Sequence, residues 1–201
     1  MYPRLSRAEF HAGAGDPNRR ALRALVRNAR EPGILAYAGG EPVGWCALAP
    51  RADYPRIERS RLFGRDEPPR GTWSVVCFFV ARPHRRQGLS VRLLEAAAAH
   101  ARAHGASVLE GYPVEPVKPT ADAFAWTGCA SAFRAAGFSE VARPSPTRPL
   151  MRRALGRARL SGTTRRMSGG ASGGARAAAA GGARYAPPRR KRPARKSRAG
   201  G

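Results

Sequence analysis

The sequence predicts an α/β domain of the α+β kind that ends in a disordered basic tail. Three observations lead there. Through the first 150 residues, stretches of helical periodicity alternate with short apolar runs of strand character. One of those runs, Trp73–Val80, is β-branched, aromatic and nearly continuous, which suits a strand buried on both faces in the middle of a sheet. The last 51 residues change character: they hold 15 of the 37 Lys/Arg and none of the 13 Asp/Glu. The expected division is a folded domain over 1–155 and a tail over 156–201, and 201 residues suffice for one domain and an appendage.

The elements follow in order. Asp16-Pro17 opens a helix, with an N-cap and then proline at the first helical position. Leu22, Leu25 and Val26 share one of its faces, and Gly33 stops it. Ile34–Ala38 and Val43–Leu48 are apolar runs separated by Gly39-Gly40-Glu41-Pro42, which reads as a β-hairpin. Residues 50–71 are rich in Pro, Arg and Asp and form a long polar connection, with one helical turn near Ile57–Arg61. Loops of that length inside a compact domain are often functional. After the central strand comes a helix, Leu89–His104, with Leu93, Leu94, Ala97, Ala98 and Ala101 on a broad apolar stripe and Gly105 at its end. Val108–Tyr112 is the next strand. A second long loop, 113–127, contains Pro113, Pro116 and Pro119. A helix over 129–136 closes at Gly137, and Phe138–Ala142 with Pro149–Arg152 form a final antiparallel pair.

The tail is low-complexity Gly, Ala and Arg/Lys, with Leu160, Met167 and Tyr185 among its few large apolar residues. Such a chain cannot bury enough surface to offset an ordering entropy of roughly 1–2 kcal/mol per residue. Its cationic end, Pro187–Lys196, has two readings: non-specific attraction to nucleic acid through counterion release, and a solvated extension. The longest apolar run, Val75–Ala81, is far short of the ~20 residues that span a bilayer, which excludes a membrane-spanning protein. No apolar segment follows Met1-Tyr2-Pro3-Arg4 as a secretion signal would require. Cys46, Cys77 and Cys129 are too few for a four-cysteine zinc site and include no C-x-x-C pair. Cys77 reads as a small buried hydrophobe. The expected compartment is a reducing cytoplasm.

The informative stretch is Arg82-Pro83-His84-Arg85-Arg86-Gln87-Gly88-Leu89-Ser90, between the central strand and its helix. The first N–H groups of a helix have no intrahelical acceptors, and the macrodipole places about half a positive charge beside them. Gly88 carries no Cβ and lets a phosphate approach the backbone. Arg85 and Arg86 add charge at the rim, His84 adds local charge, and Ser90 offers a hydroxyl. Neither G-x-G-x-x-G nor G-x-x-x-x-G-K-[ST] is present, so the common dinucleotide fold and the P-loop are disfavoured. An ordinary turn with surface arginines is the bland alternative.

Arg85-Arg86-Gln87-Gly88-Leu89-Ser90 resembles the [RQ]-x-x-G-x-[GA] signature of the GNAT superfamily of acetyl-CoA-dependent acetyltransferases, with Ser90 where Gly or Ala is usual. The resemblance runs from about residue 17 to 152 and includes Ala132-Phe133-Arg134-Ala135-Ala136-Gly137-Phe138, which is similar to the family's last helix running into Gly-Phe. It implies a mixed, largely antiparallel central sheet, helices on both faces, and a splayed parallel strand pair. It implies acetyl-CoA as cosubstrate and no metal. The pantetheine arm would pair with main-chain groups of Phe78, Phe79 and Val80, and the pyrophosphate would sit on the amides of Gln87, Gly88, Leu89 and Ser90, with Arg85 and Arg86 beside it. An amide near Val80 would polarise the thioester carbonyl. The implied activity is transfer of the acetyl group to a primary amine, small or on a protein, by direct attack. A second reading, of another class, is a nucleic-acid-binding protein that uses the tail 156–201 and a degenerate domain.

Two departures from the family pattern stand out. The position usual for a proton-donating Tyr is Phe133, which leaves Tyr112 or solvent as the acid. Glu110 is the base candidate, as the only acid on a predicted central strand, and its alternative is a structural ion pair with an arginine. The family also begins with a strand and one or two helices. Here one helix is visible before the hairpin, and Met1–Leu5 is a poor strand candidate. His100 and His104 are four apart on one helix, but no third metal ligand lies at suitable spacing. Trp45, Trp73 and the Phe78-Phe79 rings read as core.

Overall fold

The computed structural model describes residues 3–28, 30–64, 67–115 and 126–156. The expected disordered tail therefore lies, apart from Gly156, outside the described residues, as do 116–125 of the second long loop. Two short helices come first. Helix α1 (Arg7–Ala12) is held by a reciprocal capping box: the Glu9 N–H donates to Ser6 Oγ, and the Ser6 N–H donates to the Glu9 carboxylate. It is an addition to the one helix expected before the hairpin, although Ser-x-x-Glu is a helix-start signature. At six residues it is too short to show a period. Helix α2 (Asp16–Arg27) is capped by Gly15 rather than Asp16, with Pro17 in its first turn. Its expected apolar face is poorly covered, since Leu22 and Leu25 are half-buried and Val26 is exposed. Residues 3–5 of the strand candidate Met1–Leu5 form a turn and a bend, not a strand.

The hairpin expected at Gly39-Gly40 is there, joining β1 (Gly33–Ala38) to β2 (Glu41–Pro50). Gly39 and Gly40 both have left-handed φ, 57° and 83°, as a two-residue turn matched to strand twist requires. A 3-10 turn (Arg51–Asp53) and the one-turn helix α3 (Pro55–Glu58) follow. Then come β3 (Thr72–Val80), a 3-10 turn (Arg82–His84), α4 (Leu89–Ala103) and β4 (Val108–Gly111). Helix α5 (Ala130–Ala135) and the hairpin of β5 (Ser139–Ser145) and β6 (Arg148–Ala154) complete the fold.

The six strands form one sheet in the order β1-β2-β3-β4-β6-β5. Only β3 and β4 run parallel, joined by the α4 crossover. The chain is thus the mixed, largely antiparallel α/β fold expected. Its apolar run placed β3 in the interior of the sheet, where it feeds two cores. On one face Val75 and Phe78 meet Leu93, Leu94 and Ala97 of α4 and Phe133 of α5. On the other, Val76 meets Tyr54, Phe63, Tyr112 and Leu150 under α3 and its flanking loop. Cys46 is fully buried and Cys77 only half-buried, and all three cysteines are free thiols.

Two features of β3 build the site. The register shifts between Ala47 and Leu48, which pair with Cys77 and Val75, so Val76 is an extra residue. Such a bulge bends a strand and increases its twist. Beside it, the parallel ladder with β4 ends at Val75–Gly111. Beyond that point β3 continues to Val80 along β2 alone.

Candidate active site

The opening beyond Val75 and Gly111 leads into a groove of about 530 Å³. Phe78, Phe79 and Val80 of β3 form one side, and His84, Arg85, Arg86, Gly88, Leu89 and Ser90 form the floor and rim. Trp126, Gly128, Cys129, Ser131 and Ala132 face them. Eight of the nine residues expected to hold a cosubstrate therefore line one hollow. The ninth, Gln87, folds its amide back onto the Pro83 carbonyl at 2.8 Å and braces the loop.

The loop geometry explains its donors. Arg86 and Gly88 both have left-handed φ, 59° and 74°. Gly88 is the N-cap of α4, and its carbonyl accepts from the Val91 and Arg92 N–H groups at 3.0 and 3.2 Å. The N–H groups of Leu89 and Ser90 come before that first ladder bond and belong to the set a helix leaves without intrahelical acceptors. A Cβ built on Gly88 would meet nothing within 4 Å, so the space above this backbone is open. The helix dipole and the Arg85 and Arg86 guanidiniums make that space electropositive.

At the β3 edge, the Phe78 N–H donates to the Trp126 carbonyl at 2.7 Å. Strand alternation points the Val80 N–H and C=O the same way. Its carbonyl accepts from Arg85 Nε at 3.0 Å, which ties the basic loop to the strand end. The Phe78 donor is thus committed within the protein, and Val80 presents main chain to the groove. The Phe78 ring packs edge-on against Phe133 as core, as expected, whereas Phe79 is 57% exposed and is not core.

A second groove, of about 450 Å³, opens on the other face of the sheet. Val76, Tyr112 and Phe63 form its floor, with Arg7, Arg56, Arg59 and Arg148 around it. Trp126 lines both grooves, so they meet at that residue. Among the described residues no Asp or Glu lines either one.

The acid read from the sequence, Glu110, lies between these faces, fully buried. Its Oε1 accepts from Arg51 and from the Tyr112 hydroxyl, and its Oε2 accepts from Arg152 Nε at 2.6 Å. The Tyr112 oxygen is also 3.0 Å from Ser74 Oγ. Burial, reinforced by the Glu110 charge, pushes the Tyr112 hydroxyl well above its ordinary value. Arg152 stands directly across from Glu110 in the β4–β6 register. Arg51 arrives from the 3-10 turn after β2, 59 positions away, and nothing in the linear pattern announced it.

The acetyltransferase (GNAT) family model matches residues 2–124. The chain belongs to the GNAT acetyltransferases. The matched span holds the loop Arg85–Ser90 and both strands of the parallel pair. Among solved structures, a Desulfovibrio desulfuricans protein described as an acetyltransferase of the GNAT family is 16% identical, with a TM-score of 0.44, over 75% of this chain and 84% of its own. The ribosomal-protein-S18-alanine N-acetyltransferase of Escherichia coli is 14% identical, with a TM-score of 0.40, over 69% of this chain and 79% of its own. Aminoglycoside acetyltransferase AAC(6′)-Ib, solved with coenzyme A, is 16% identical, with a TM-score of 0.45, over 61% and 65%. No curated protein matches the chain.

For a GNAT protein, the position of Phe133 is the notable one. Its ring is fully buried, edge-on to Phe78 and Phe138. It lies over two glycines: a Cβ at Gly111 would fall 2.0 Å from it, and one at Gly128 2.9 Å. In this GNAT domain Phe133 is thus an apolar ring packed between β4 at Gly111 and the residues just before α5 at Gly128.

Proposed function

We propose that residues 1–155 form an N-acetyltransferase that moves the acetyl group of acetyl-CoA to a primary amine bearing a nearby anionic group. The observation that carries the reading is the meeting of two grooves at Trp126, where β3 and β4 diverge. One has a helix start with open backbone donors, and the other is ringed by guanidiniums. The residues of the first groove fit a diphosphate. Leu89 and Ser90 supply N–H donors, Gly88 leaves room, and Arg85 and Arg86 supply charge.

In this reading, the Val80 N–H stabilises the negative charge that grows on the thioester carbonyl oxygen as the amine nitrogen attacks. The nitrogen–carbon bond forms and the carbon–sulfur bond breaks; the proton that the acylated nitrogen sheds goes to water, and the leaving thiolate takes its proton from water because Phe133 has none to give. Glu110 is committed to two guanidiniums and a phenol, so we assign it the role of buried counterion and Tyr112 that of its partner. The attacking amine must be neutral. Like charges disfavour the charged form of a group. The guanidiniums of Arg7, Arg56, Arg59 and Arg148 therefore lower the acceptor's ammonium pKa, and water takes the proton. The same charges repel polycationic amines and favour an acceptor with a carboxylate or phosphate.

Thermal melting of the full chain with CoA tests the first groove. CoA at 100 times its Kd should add about 2.7 kcal/mol. At about 2–4 °C per kcal/mol for a domain of this size, Tm should rise by about 5–10 °C. Gly88→Glu should abolish the rise by placing a carboxylate where phosphate sits. A flat wild-type melt in millimolar CoA overturns the proposal. For the acceptor, free-thiol release should be faster with carboxylate-bearing amines than with their decarboxylated analogues. Arg7→Ser with Arg59→Ser should narrow that preference. Faster turnover of polyamines would refute the anionic-acceptor reading.

A further inference from the structure

We propose that Glu31, His100 and His104 form a site for a divalent transition-metal ion of the zinc class, in a hollow that shares no lining residue with either groove. The sequence showed the two histidines and no third ligand. The fold brings one from 69 positions upstream of His100, since Glu31 stands just before β1, beside the last turn of α4.

The geometry is close to that of a bound ion. The i, i+4 spacing puts both imidazoles on one face, with centroids 4.2 Å apart and planes 31° from parallel. Glu31 Oε2 is 3.3 Å from His100 Nε2 and 3.6 Å from His104 Nε2, and the three ligand atoms lie within 4.8 Å of one another. Metal–ligand bonds of about 2.0–2.1 Å in a tetrahedron put ligand atoms roughly 3.3 Å apart, so two of the three edges already fit. The remaining adjustment falls to the exposed Glu31 and His104 side chains, since His100 is half-buried.

The orientation of His104 is set from behind. Its Nδ1 lies 2.9 Å from the His100 carbonyl. A carbonyl only accepts, so Nδ1 donates to it, and Nε2 is the ring nitrogen turned toward Glu31. This is the backing that metal-bound imidazoles receive. Trp73 lies against both rings, at 5.8 and 5.7 Å between centroids, and limits their swing. Two protonated imidazoles at 4.2 Å would repel each other. One shared dication satisfies both Nε2 atoms and the carboxylate together. Arg4 and Arg30 line the same hollow, but Asp53 pairs with both, at 2.9 and 3.5 Å. Two imidazoles and a carboxylate suit zinc, nickel or copper better than calcium or magnesium. The ion would pin the approach to β1 onto the C-terminal end of α4, with Gly88 at the other end of that helix.

The test uses the untagged full chain stripped with chelator. Zn²⁺ at one equivalent should be retained on dialysis and should raise Tm, and chelator should reverse the rise. Co²⁺ should give the visible bands of a tetrahedral nitrogen–oxygen site. Glu31→Gln and His104→Ala should each weaken Zn²⁺ by at least about tenfold. The CoA-induced rise in Tm should persist in both variants, which separates this site from the cosubstrate groove and checks that they fold. Absence of retained Zn²⁺, or retention that survives a His100→Ala, His104→Ala double variant, overturns the proposal.

Discussion

Glu110→Gln separates the two roles open to the buried acid. The substitution keeps the shape and one acceptor oxygen but removes the charge that faces Arg51 and Arg152, and its amide turns a donor toward groups that are themselves donors. Glu110 is fully buried and the Arg51 side chain is 4% exposed, so water cannot take over. Breaking a buried pair by removing one partner costs about 3–5 kcal/mol. At about 2–4 °C per kcal/mol, Tm should fall by about 6–20 °C. Denaturant unfolding gives the free energy, and acetyl transfer measured well below the variant's Tm gives the rate. A counterion role predicts a large stability loss with a largely retained rate. Arg51→Met should also destabilise, and the double variant should lose less than the sum, since Arg51 is then not left as a lone buried charge and only Arg152, 19% exposed, still faces position 110. The reasoning fails if Glu110→Gln unfolds within about 1 kcal/mol of wild type while transfer collapses and the acid limb of its pH–rate profile disappears, for Glu110 would then be the base.

Two further outcomes follow from packing and charge. Gly111→Ala puts a Cβ 2.0 Å from the Phe133 ring, which Phe78 and Phe138 hold in place. Overpacking of this kind should cost about 1–3 kcal/mol or more in urea unfolding, and a neutral result would mean that the ring is not held in place. The hydrogen bond from Arg134, then that from Arg143, pulls the Glu115 carboxyl down from 4.5 to about 2. A depressed folded-state pKa adds stability above the unfolded value and loses it as pH falls through the folded one. Glu115→Gln should therefore be less stable than wild type at pH 6, with the gap closing between pH 4.5 and 2. A gap constant over that range would assign the effect to something other than this carboxylate.

Local chemistry was legible where one residue acts on its neighbours. Gly39-Gly40 announced its hairpin, Gly105 and Gly137 the ends of two helices, and Gly88 the start of α4 with its open donors. The continuous apolar run of β3 predicted its place inside the sheet because a strand covered on both faces cannot alternate. Helix α1 differs: its Ser6–Glu9 capping box is a local signal, but six residues show no apolar period. The bulge at Val76 was not legible, since an extra residue exists only relative to the register of a partner strand.

The chain alone determined an alternating α/β domain and the glycine-opened start of α4, because helix starts, turns and apolar periodicity depend on residues within a few positions of each other. Only the tertiary structure decided what the isolated polar residues do. It set Arg51 and Arg152 on Glu110, gathered Arg7, Arg56, Arg59 and Arg148 around one groove, laid Phe133 over Gly111, and carried Glu31 to His100 and His104. A side chain's charge and reach are written in its identity. Its partner across tens of residues is chosen by strand order and by the volume that packing leaves.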